Sequence, residues 1–306
     1  MKKILVTPRS VTKEGHPALS RLKDTGFEIM FCTPGKQPSE EELLDVLPGC
    51  IGYLAGVEKI SADILKAATG LIVISRNGVG INNIDLEAAR KLNIKICKTE
   101  GANARGVAEL TISLIFALTR YIPFSDEKLK AGIWERRIGL EIKGKTLGII
   151  GCGRIGKEVA CLAICLGMNV VAFDPFINDF FTPAVNFQYT DLEELLAKSD
   201  IISLHIPASD DGKPLVNNSF IQKTKKGAYL INTARGELIE NDAIIEALNT
   251  GIIKGFATDV FREEPPKDMR LVKHDRVIAL PHIGGYTEES IDRAISSAVD
   301  NLLKYL

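Results

Sequence analysis

The stretch TLGIIGCGRIGKEVACLAICLGMNVVAFDP, residues 146–175, carries the clearest fold signal in the chain. The apolar run TLGII predicts a strand, GCGRIG a tight turn, KEVACLAICLG a helix, and VVAF a second strand that ends at Asp174. This order is typical of a βαβ unit that binds a dinucleotide. The stretch therefore predicts an α/β fold with a parallel sheet.

The three glycines of the turn suit a dinucleotide for different reasons. Gly151 permits the tight turn, Gly153 lets the backbone approach a pyrophosphate, and Gly156 lets the helix pack closely on the strand. The following helix begins with unpaired N–H donors, which attract an anion. Without the flanking strand and helix, such a turn would indicate only close packing, so the flanks make it a predicted cofactor loop.

The acidic residue after the second strand indicates which dinucleotide is bound. Asp174 can accept hydrogen bonds from the ribose hydroxyls of an adenosine, and it would repel a ribose phosphate. No arginine follows it within DPFIND. We therefore expect NAD rather than NADP, with Arg154 of the loop facing the pyrophosphate.

Short apolar runs alternate with amphipathic segments from KILVTP to IKICKT, and again from Lys145 to VIALPH. This alternation predicts two doubly wound parallel-sheet domains, the first flavodoxin-like and the second of Rossmann type. The segment TEESIDRAISSAVDNLLKYL predicts a final helix that packs back on the first domain. We therefore predict a discontinuous first domain, residues 1–99 and 285–306, and a second domain, residues 100–284.

The composition argues against several classes of partner. The 38 basic and 39 acidic residues give a net charge of −1, which does not suggest a nucleic-acid or polybasic membrane surface. No apolar stretch approaches the ~20 residues of a membrane span, and the apolar run in MKKILVTPRS is too short for a secretory signal. The six cysteines form no CxxC pair. We expect a cytoplasmic protein with a small-molecule substrate and no metal.

Five residues each follow an apolar run directly: Asp174, Pro207, Arg235, Asp259 and His282. Because the carboxyl ends of parallel strands share one edge of a sheet, we expect these residues to lie beside the glycine loop. The sequence therefore predicts a functional site at this edge.

Arg235, in INTARGEL, lies just beyond a predicted buried strand. An unpaired guanidinium is costly there unless it meets solvent or an anion, and its planar fork suits a carboxylate. The alternative is a salt bridge to a neighbouring acid. Arg235 on its own does not distinguish binding of a substrate carboxylate from a salt bridge to a neighbouring acid.

His282, in ALPHIGGYT, is the strongest candidate for an acid/base group. A carboxylate hydrogen-bonded to one ring nitrogen would hold the other nitrogen toward a substrate. Glu264 and Glu263, in DVFREEPP, are both candidates for that carboxylate. His205, inside the apolar IISLHIP, is the nearest rival, and we expect it to have a structural or cofactor-lining role.

These features together fit one reaction type. An arginine for a carboxylate, a histidine with a carboxylate partner and a nicotinamide site suit hydride transfer at a carbon that bears a hydroxyl next to a carboxylate. The histidine would move the hydroxyl proton.

GCGRIG with Asp174, INTARGELI, ATDVFREEP and PHIGGYT, in this order and at these distances, resemble the D-isomer-specific 2-hydroxyacid dehydrogenase family. SRNGVGINNIDLEAA, NARGVAEL and WERRIGLEIKGKTLG also match its pattern, so the resemblance covers essentially the whole chain. It implies a substrate-binding first domain, an NAD-binding second domain and an active site in the cleft between them. It also implies a homodimer, with a loop around Trp134 reaching across.

The resemblance selects Glu264 over Glu263. It implies that Arg235 binds the substrate carboxylate, that Glu264 is the partner of the histidine, and that His282 is the acid/base group. With the loop glycines and the edge residues already described, the expected cofactor contacts are Gly151, Gly153, Arg154, Ile155, Gly156, Asp174, His205, Pro207, Thr233, Ala234, Asp259, Gly284 and Gly285. Besides Arg235 and His282, the expected substrate contacts are Asn77, Gly78 and Val79.

Within the family, TPRS, SRNGVGINNID and GIWERR are most similar to phosphoglycerate dehydrogenases, which implies the 3-phosphoglycerate and 3-phosphohydroxypyruvate pair and a place in serine biosynthesis. Arg9, Arg76 and Arg136 are candidates for the phosphate. However, GYLAGVEK has no cation until Lys59, where related enzymes often carry an arginine. Two alternatives stay open: a glyoxylate, hydroxypyruvate or D-lactate-type dehydrogenase, and an NAD-sensing, corepressor-like binding protein.

Overall fold

The structure, a computed structural model, describes residues 1–178, 180–209 and 211–306. The chain divides into two compact units: Met1–Asn103 with Glu288–Leu306, and Ala104–Thr287. The boundaries predicted from the sequence lie within a few residues of this division.

The first unit contains a five-stranded parallel sheet in the order β2-β1-β3-β4-β5, which is the flavodoxin-like order. Its strands are β1 (Lys3–Val6), β2 (Glu28–Phe31), β3 (Cys50–Ala55), β4 (Val73–Arg76) and β5 (Lys95–Lys98). Its helices are α1 (Arg9–Glu14), α2 (Ser20–Asp24), α3 (Glu40–Val46), α4 (Ala62–Ala67), α5 (Leu86–Lys91) and the C-terminal α12 (Glu288–Tyr305), with a 3-10 turn at Pro17–Leu19.

Successive residues of β1 enter different cores, because strand side chains alternate between the two faces of a sheet. Ile4 and Val6 pack in one cluster, and Leu5 packs in the other. The C-terminal helix α12 joins the first of these clusters through buried residues that include Val299 and Leu302. The C-terminal helix α12 thus packs within the first unit.

The second unit contains a seven-stranded parallel sheet in the order β12-β11-β10-β9-β6-β7-β8. Its strands are β6 (Thr146–Ile150), β7 (Asn169–Phe173), β8 (Phe187–Tyr189), β9 (Ile201–Leu204), β10 (Ala228–Asn232), β11 (Ile253–Thr258) and β12 (Val277–Ala279). Its helices are α6 (Ala104–Thr119), α7 (Ile122–Lys130), α8 (Arg154–Cys165), α9 (Leu192–Lys198), α10 (Asn218–Lys223) and α11 (Asn241–Thr250), with a 3-10 turn at Gly236–Leu238. Counted from β6, this is the Rossmann order with one further strand.

The predicted α/β class with two parallel sheets is confirmed, and the differences are small elements. The alternation of apolar runs did not predict α1, α7, β8 or α10. No residue of α7 is buried, so the helix presents no apolar face to the pattern. β8 has three residues at the sheet edge and pairs only with β7. α10 has six residues and depends on Asn217, whose side chain caps it.

Among the described residues, no single helix is long and apolar enough to cross a membrane. α6 and α7 would pass that test by length and composition if taken together, but they meet at a bend of 60°.

Candidate active site

The glycine loop joins β6 to α8, and two of its glycines leave no room for a side chain. At Gly151, where φ is 95°, a Cβ would lie 2.6 Å from the carbonyl oxygen of His205. At Gly156, a Cβ would lie 2.1 Å from the carbonyl oxygen of Gly151. At Gly153, in contrast, a Cβ would meet no heavy atom within 4 Å. The space at the amino end of α8 is therefore open, as a bound pyrophosphate requires.

Asp174 follows β7 and holds the glycine loop through its carboxylate. Oδ2 accepts a hydrogen bond from the backbone N of Cys152 at 2.7 Å, and Oδ1 accepts one from the backbone N of Phe176 at 2.8 Å. Each oxygen retains a second lone pair, which a ribose hydroxyl can use. The carboxylate therefore lies beside the glycine loop, where the sequence predicts it.

His282 and Glu264 are in direct contact. The Nδ1 atom of His282 lies 2.7 Å from Oε2 of Glu264, whose Oε1 accepts a hydrogen bond from the backbone N of Phe261 at 3.0 Å. Because a carboxylate can only accept, Nδ1 carries the proton and Nε2 is the nitrogen available for proton exchange. Glu263, the competing candidate, pairs with Lys267 instead.

Asp259 fixes the backbone directly after His282. Its Oδ1 accepts a hydrogen bond from the backbone N of Ile283 at 2.8 Å, and its Oδ2 accepts one from Gly284 at 2.7 Å. Burial raises the pKa of Asp259, although these two donors act in the opposite direction. His282 itself has a left-handed φ of 55°, a conformation that a non-glycine residue adopts only when its surroundings impose it. Asp259 is therefore a positioning residue for His282, a role that the sequence did not indicate.

Arg235 directly precedes the 3-10 turn after β10, and two further residues fix its backbone. The buried side chain of Asn232 donates from Nδ2 to the carbonyl oxygen of Arg235 at 2.8 Å. A Cβ at Gly236 would lie 2.0 Å from the carbonyl carbon of Phe261, so the turn packs directly on the loop that holds Glu264. Within the described residues, no carboxylate forms an ion pair with Arg235. The salt-bridge alternative therefore has no support in the described residues.

The remaining predicted cofactor residues lie at the same edge of the second sheet. Oγ of Ser203 lies 2.9 Å from Nε2 of His205, and burial lowers the pKa of His205 to about 3, so this ring is neutral near pH 7. The hydroxyls of Thr233 and Thr111 lie 3.0 Å apart. The others are Arg154 and Ile155 at the start of α8, Pro207 after β9, Ala234 after β10, and Gly284 and Gly285 after β12. Their contacts with a cofactor stay predictions.

The predicted substrate residues of the first unit follow a strand in the same way. Asn77, Gly78 and Val79 come directly after β4, and the backbone N of Asn77 donates to the carbonyl oxygen of Ala55 at 2.8 Å. Gly78 has a φ of 144°, which suits glycine. Their contacts with a substrate stay predictions.

A buried carboxylate lies at this edge of the first sheet, and the sequence analysis did not single it out. Glu58 is only 2% exposed. Its Oε1 accepts hydrogen bonds from Oη of Tyr53 at 2.6 Å and from the backbone N of Gly56 at 2.8 Å, and also from Thr7. Glu58 could have been proposed from the sequence, because it directly follows the apolar run GYLAGV. The negative charge lies at the edge where β1 leads to Arg9 and β4 ends at Arg76.

The second unit has the features that a dinucleotide needs. The glycine loop is open at Gly153 and closed at Gly151 and Gly156, and the carboxylate of Asp174 lies beside it. Among the described residues, no group of three or more His, Cys, Asp or Glu side chains could hold a metal ion.

Residues 112–284 match the family model described as D-isomer specific 2-hydroxyacid dehydrogenase, NAD binding domain. The chain therefore belongs to the D-isomer specific 2-hydroxyacid dehydrogenase family, and NAD is the cofactor of the matched domain. The resemblance seen in the sequence and the preference for NAD are confirmed.

Two relatives show how far the similarity extends. The chain is 38% identical over 275 residues to the D-3-phosphoglycerate dehydrogenase of Homo sapiens, covering 89% of this chain and 51% of that protein. It is 38% identical over 273 residues to the hydroxypyruvate reductase of Thermotoga maritima, covering 87% of this chain and 88% of that protein. The chain thus spans about half the length of the phosphoglycerate dehydrogenase and most of the length of the reductase.

Two solved structures agree with the fold. The TT0316 protein from Thermus thermophilus matches with a TM-score of 0.88 and 35% identity, over 98% of this chain and 96% of that one. TP0037 from Treponema pallidum, a D-lactate dehydrogenase, matches with a TM-score of 0.83 and 27% identity, over 99% of this chain and 97% of that one.

Proposed function

We propose that this protein is an NAD-dependent dehydrogenase that interconverts D-2-hydroxyacids and 2-keto acids. The observation that carries the proposal is the 2.7 Å contact between Nδ1 of His282 and Oε2 of Glu264, at the same sheet edge as the glycine loop. A histidine held by a carboxylate suits proton transfer at a hydroxyl. Family membership gives this reaction its precedent.

The glycine loop and Asp174 would hold NAD, which would supply a hydride acceptor for the oxidation and, as NADH, a hydride donor for the reduction. Nε2 of His282 takes the hydroxyl proton in the oxidation and gives it back in the reduction. Glu264 keeps the proton on Nδ1 and stabilises the positive charge that forms on the ring. Asp259 holds the backbone after His282, so the ring keeps one orientation.

Arg235 would bind the carboxylate of the substrate. Its Nη1 donates to the carbonyl oxygen of Ala234 at 2.6 Å, which orients the guanidinium. The remaining N–H groups can donate two parallel hydrogen bonds to a carboxylate. The same cation would stabilise negative charge on the keto oxygen during reduction.

The proposed substrate pair is 3-phosphoglycerate and 3-phosphohydroxypyruvate, in serine biosynthesis. Similarity to phosphoglycerate dehydrogenases supports this choice, and Arg9, Arg76 and Arg136 are candidate phosphate ligands. A second candidate is hydroxypyruvate or glyoxylate. Similarity to the hydroxypyruvate reductase of Thermotoga maritima, 88% of which this chain covers, supports it.

We also propose a cytoplasmic homodimer. After α7, the apolar side chains of Trp134 and Ile138 are 81% and 94% exposed, and a partner subunit would cover them. Light scattering coupled to size-exclusion chromatography should give twice the mass of one chain, and Trp134→Glu should shift the protein to monomer. A wild-type monomer would contradict the dimer.

The reaction is tested by following NADH absorbance with 3-phosphohydroxypyruvate, hydroxypyruvate, glyoxylate and pyruvate. A preference for the phosphorylated keto acid supports the first substrate. A preference for the small keto acids supports the second. Absence of turnover despite NADH binding would contradict the dehydrogenase proposal and favour a corepressor-like binding protein.

A further inference from the structure

A cavity of about 420 Å³ lies in the second unit, at the sheet edge opposite the glycine loop. Its lining includes Tyr121, Arg137, Gly227, Lys254, Asp275 and Arg276. Gly227 precedes β10, Lys254 is the second residue of β11, and Arg276 precedes β12, so the cavity lies at the amino ends of three strands. The carboxyl ends of the same strands lead to Arg235, Asp259 and His282. The cavity is therefore separate from the proposed active site.

The charges around the cavity are mostly positive. Arg137, Lys254 and Arg276 contribute three cations, and Asp275 is the single carboxylate in the lining. Within the described residues, neither Lys254 nor Arg276 forms an ion pair, whereas Arg137 pairs with Glu135, with 3.8 Å between Nε and Oε1. The lining thus carries more positive than negative charge, and an anion placed among the cations would be attracted.

Two of the cations are held in place by other groups. The guanidinium of Arg137 stacks on the ring of Phe124, with 3.5 Å between the guanidinium carbon and the ring centroid. Nη1 of Arg276 donates to the carbonyl oxygen of Leu248 at 2.9 Å. A stacked or tethered guanidinium loses less freedom when it binds an anion, and its remaining N–H groups stay available.

A buried donor without an acceptor lies next to the cavity. Tyr229 is 2% exposed, and its hydroxyl has no hydrogen-bond partner among the described residues. Nζ of Lys254 lies 5.8 Å from its ring centroid. Burial raises the pKa of Tyr229, so the phenol stays protonated near pH 7. Tyr229 therefore adds a buried hydroxyl beside Lys254 of the lining.

We propose that this cavity binds a compact polyanion bearing phosphate or carboxylate groups, at a site separate from that of NAD. The volume suits a small molecule rather than a polymer. Arginine forks and a lysine match both phosphate and carboxylate oxygens. This site does not depend on which keto acid the protein reduces.

Calorimetric titration of pyrophosphate and of citrate tests the site. The protein is saturated with NADH first, so the glycine loop cannot take up either anion. One anion should bind at a single site, and the tighter of the two identifies the preferred chemistry. Lys254→Gln and Arg276→Gln should each weaken that binding at least about tenfold, because each removes a charged donor.

Lys198→Gln is the matched control, since Lys198 is an exposed lysine on α9 that pairs with Glu194 outside the cavity lining. Its affinity should equal that of wild type. Hydrogen exchange on the wild-type protein is a second measurement: the bound anion should slow exchange around Gly227 and Lys254, but not at the glycine loop. Absence of binding by both anions, or equal affinity in all variants, would overturn the proposal.

Discussion

The contact between His282 and Glu264 gives the sharpest test of how the residues act. Glu264→Gln keeps an oxygen that can accept from Nδ1 but removes the negative charge. The side chains of His282 and Glu264 are 53% and 39% exposed, so solvent screens the pair. At 2.7 Å in water-like surroundings, their attraction is about 1.5 kcal/mol. In Glu264→Gln this attraction no longer stabilises the protonated ring of His282 that forms during oxidation. The oxidation rate should therefore fall about tenfold, and by more where bound substrate excludes water.

The assay is the initial rate of NAD reduction with the D-2-hydroxyacid that the wild-type protein oxidises fastest. Glu263→Gln is the matched control, because Glu263 is the neighbouring acid and pairs with Lys267 rather than with His282. We expect kcat to fall about tenfold in Glu264→Gln, with a small change in KM for NAD, and to stay near wild type in Glu263→Gln. Equal rates in both variants, or a larger loss in Glu263→Gln, would refute the assigned roles.

Three further predictions concern the cofactor site and pH. Asp174→Ala should weaken NADH binding and narrow the preference over NADPH, measured by fluorescence titration; an unchanged preference would contradict the ribose contact. Gly153→Ala should leave the midpoint of urea unfolding near wild type but weaken NADH binding. Gly156→Ala should also lower that midpoint, because its Cβ would lie 2.1 Å from a backbone oxygen. Equal midpoints in the two variants would argue against this packing. The partly buried, neutral His205 has a pKa of about 3, below its unfolded value, so the free energy of unfolding should decrease as pH falls below about 6.5, by at most about 1.4 kcal/mol per pH unit. His205→Gln should reduce that slope in urea titrations, and an unchanged slope would contradict the lowered pKa.

The sequence predicts much of the fold because the apolar pattern is local. Runs such as TLGII and AYLINTA are buried almost completely, and the helices between them show regular apolar spacing. α7 escapes prediction because none of its residues is buried, so it has no apolar face that a pattern could show.

The sequence predicts only part of the candidate site. His282, Glu264 and Arg235 could be proposed because reactive side chains after apolar runs lie at one sheet edge. The support beneath them could not be proposed, because it depends on contacts between distant segments. Asp259 binds the backbone after His282, and Gly236 is needed because the chain near Phe261 passes against it. Neither contact leaves a periodic trace in the sequence.

The most direct measurement is the chirality of the product. Wild-type protein is incubated with NADH and whichever of 3-phosphohydroxypyruvate, hydroxypyruvate and pyruvate it reduces fastest, since glyoxylate gives an achiral product. The hydroxyacid is resolved on a chiral column beside the product of His282→Ala. We expect the D-isomer from the wild-type protein. We also expect turnover lower by orders of magnitude in His282→Ala, with NADH affinity nearly intact. The L-isomer, or wild-type turnover in His282→Ala, would contradict the proposed reaction.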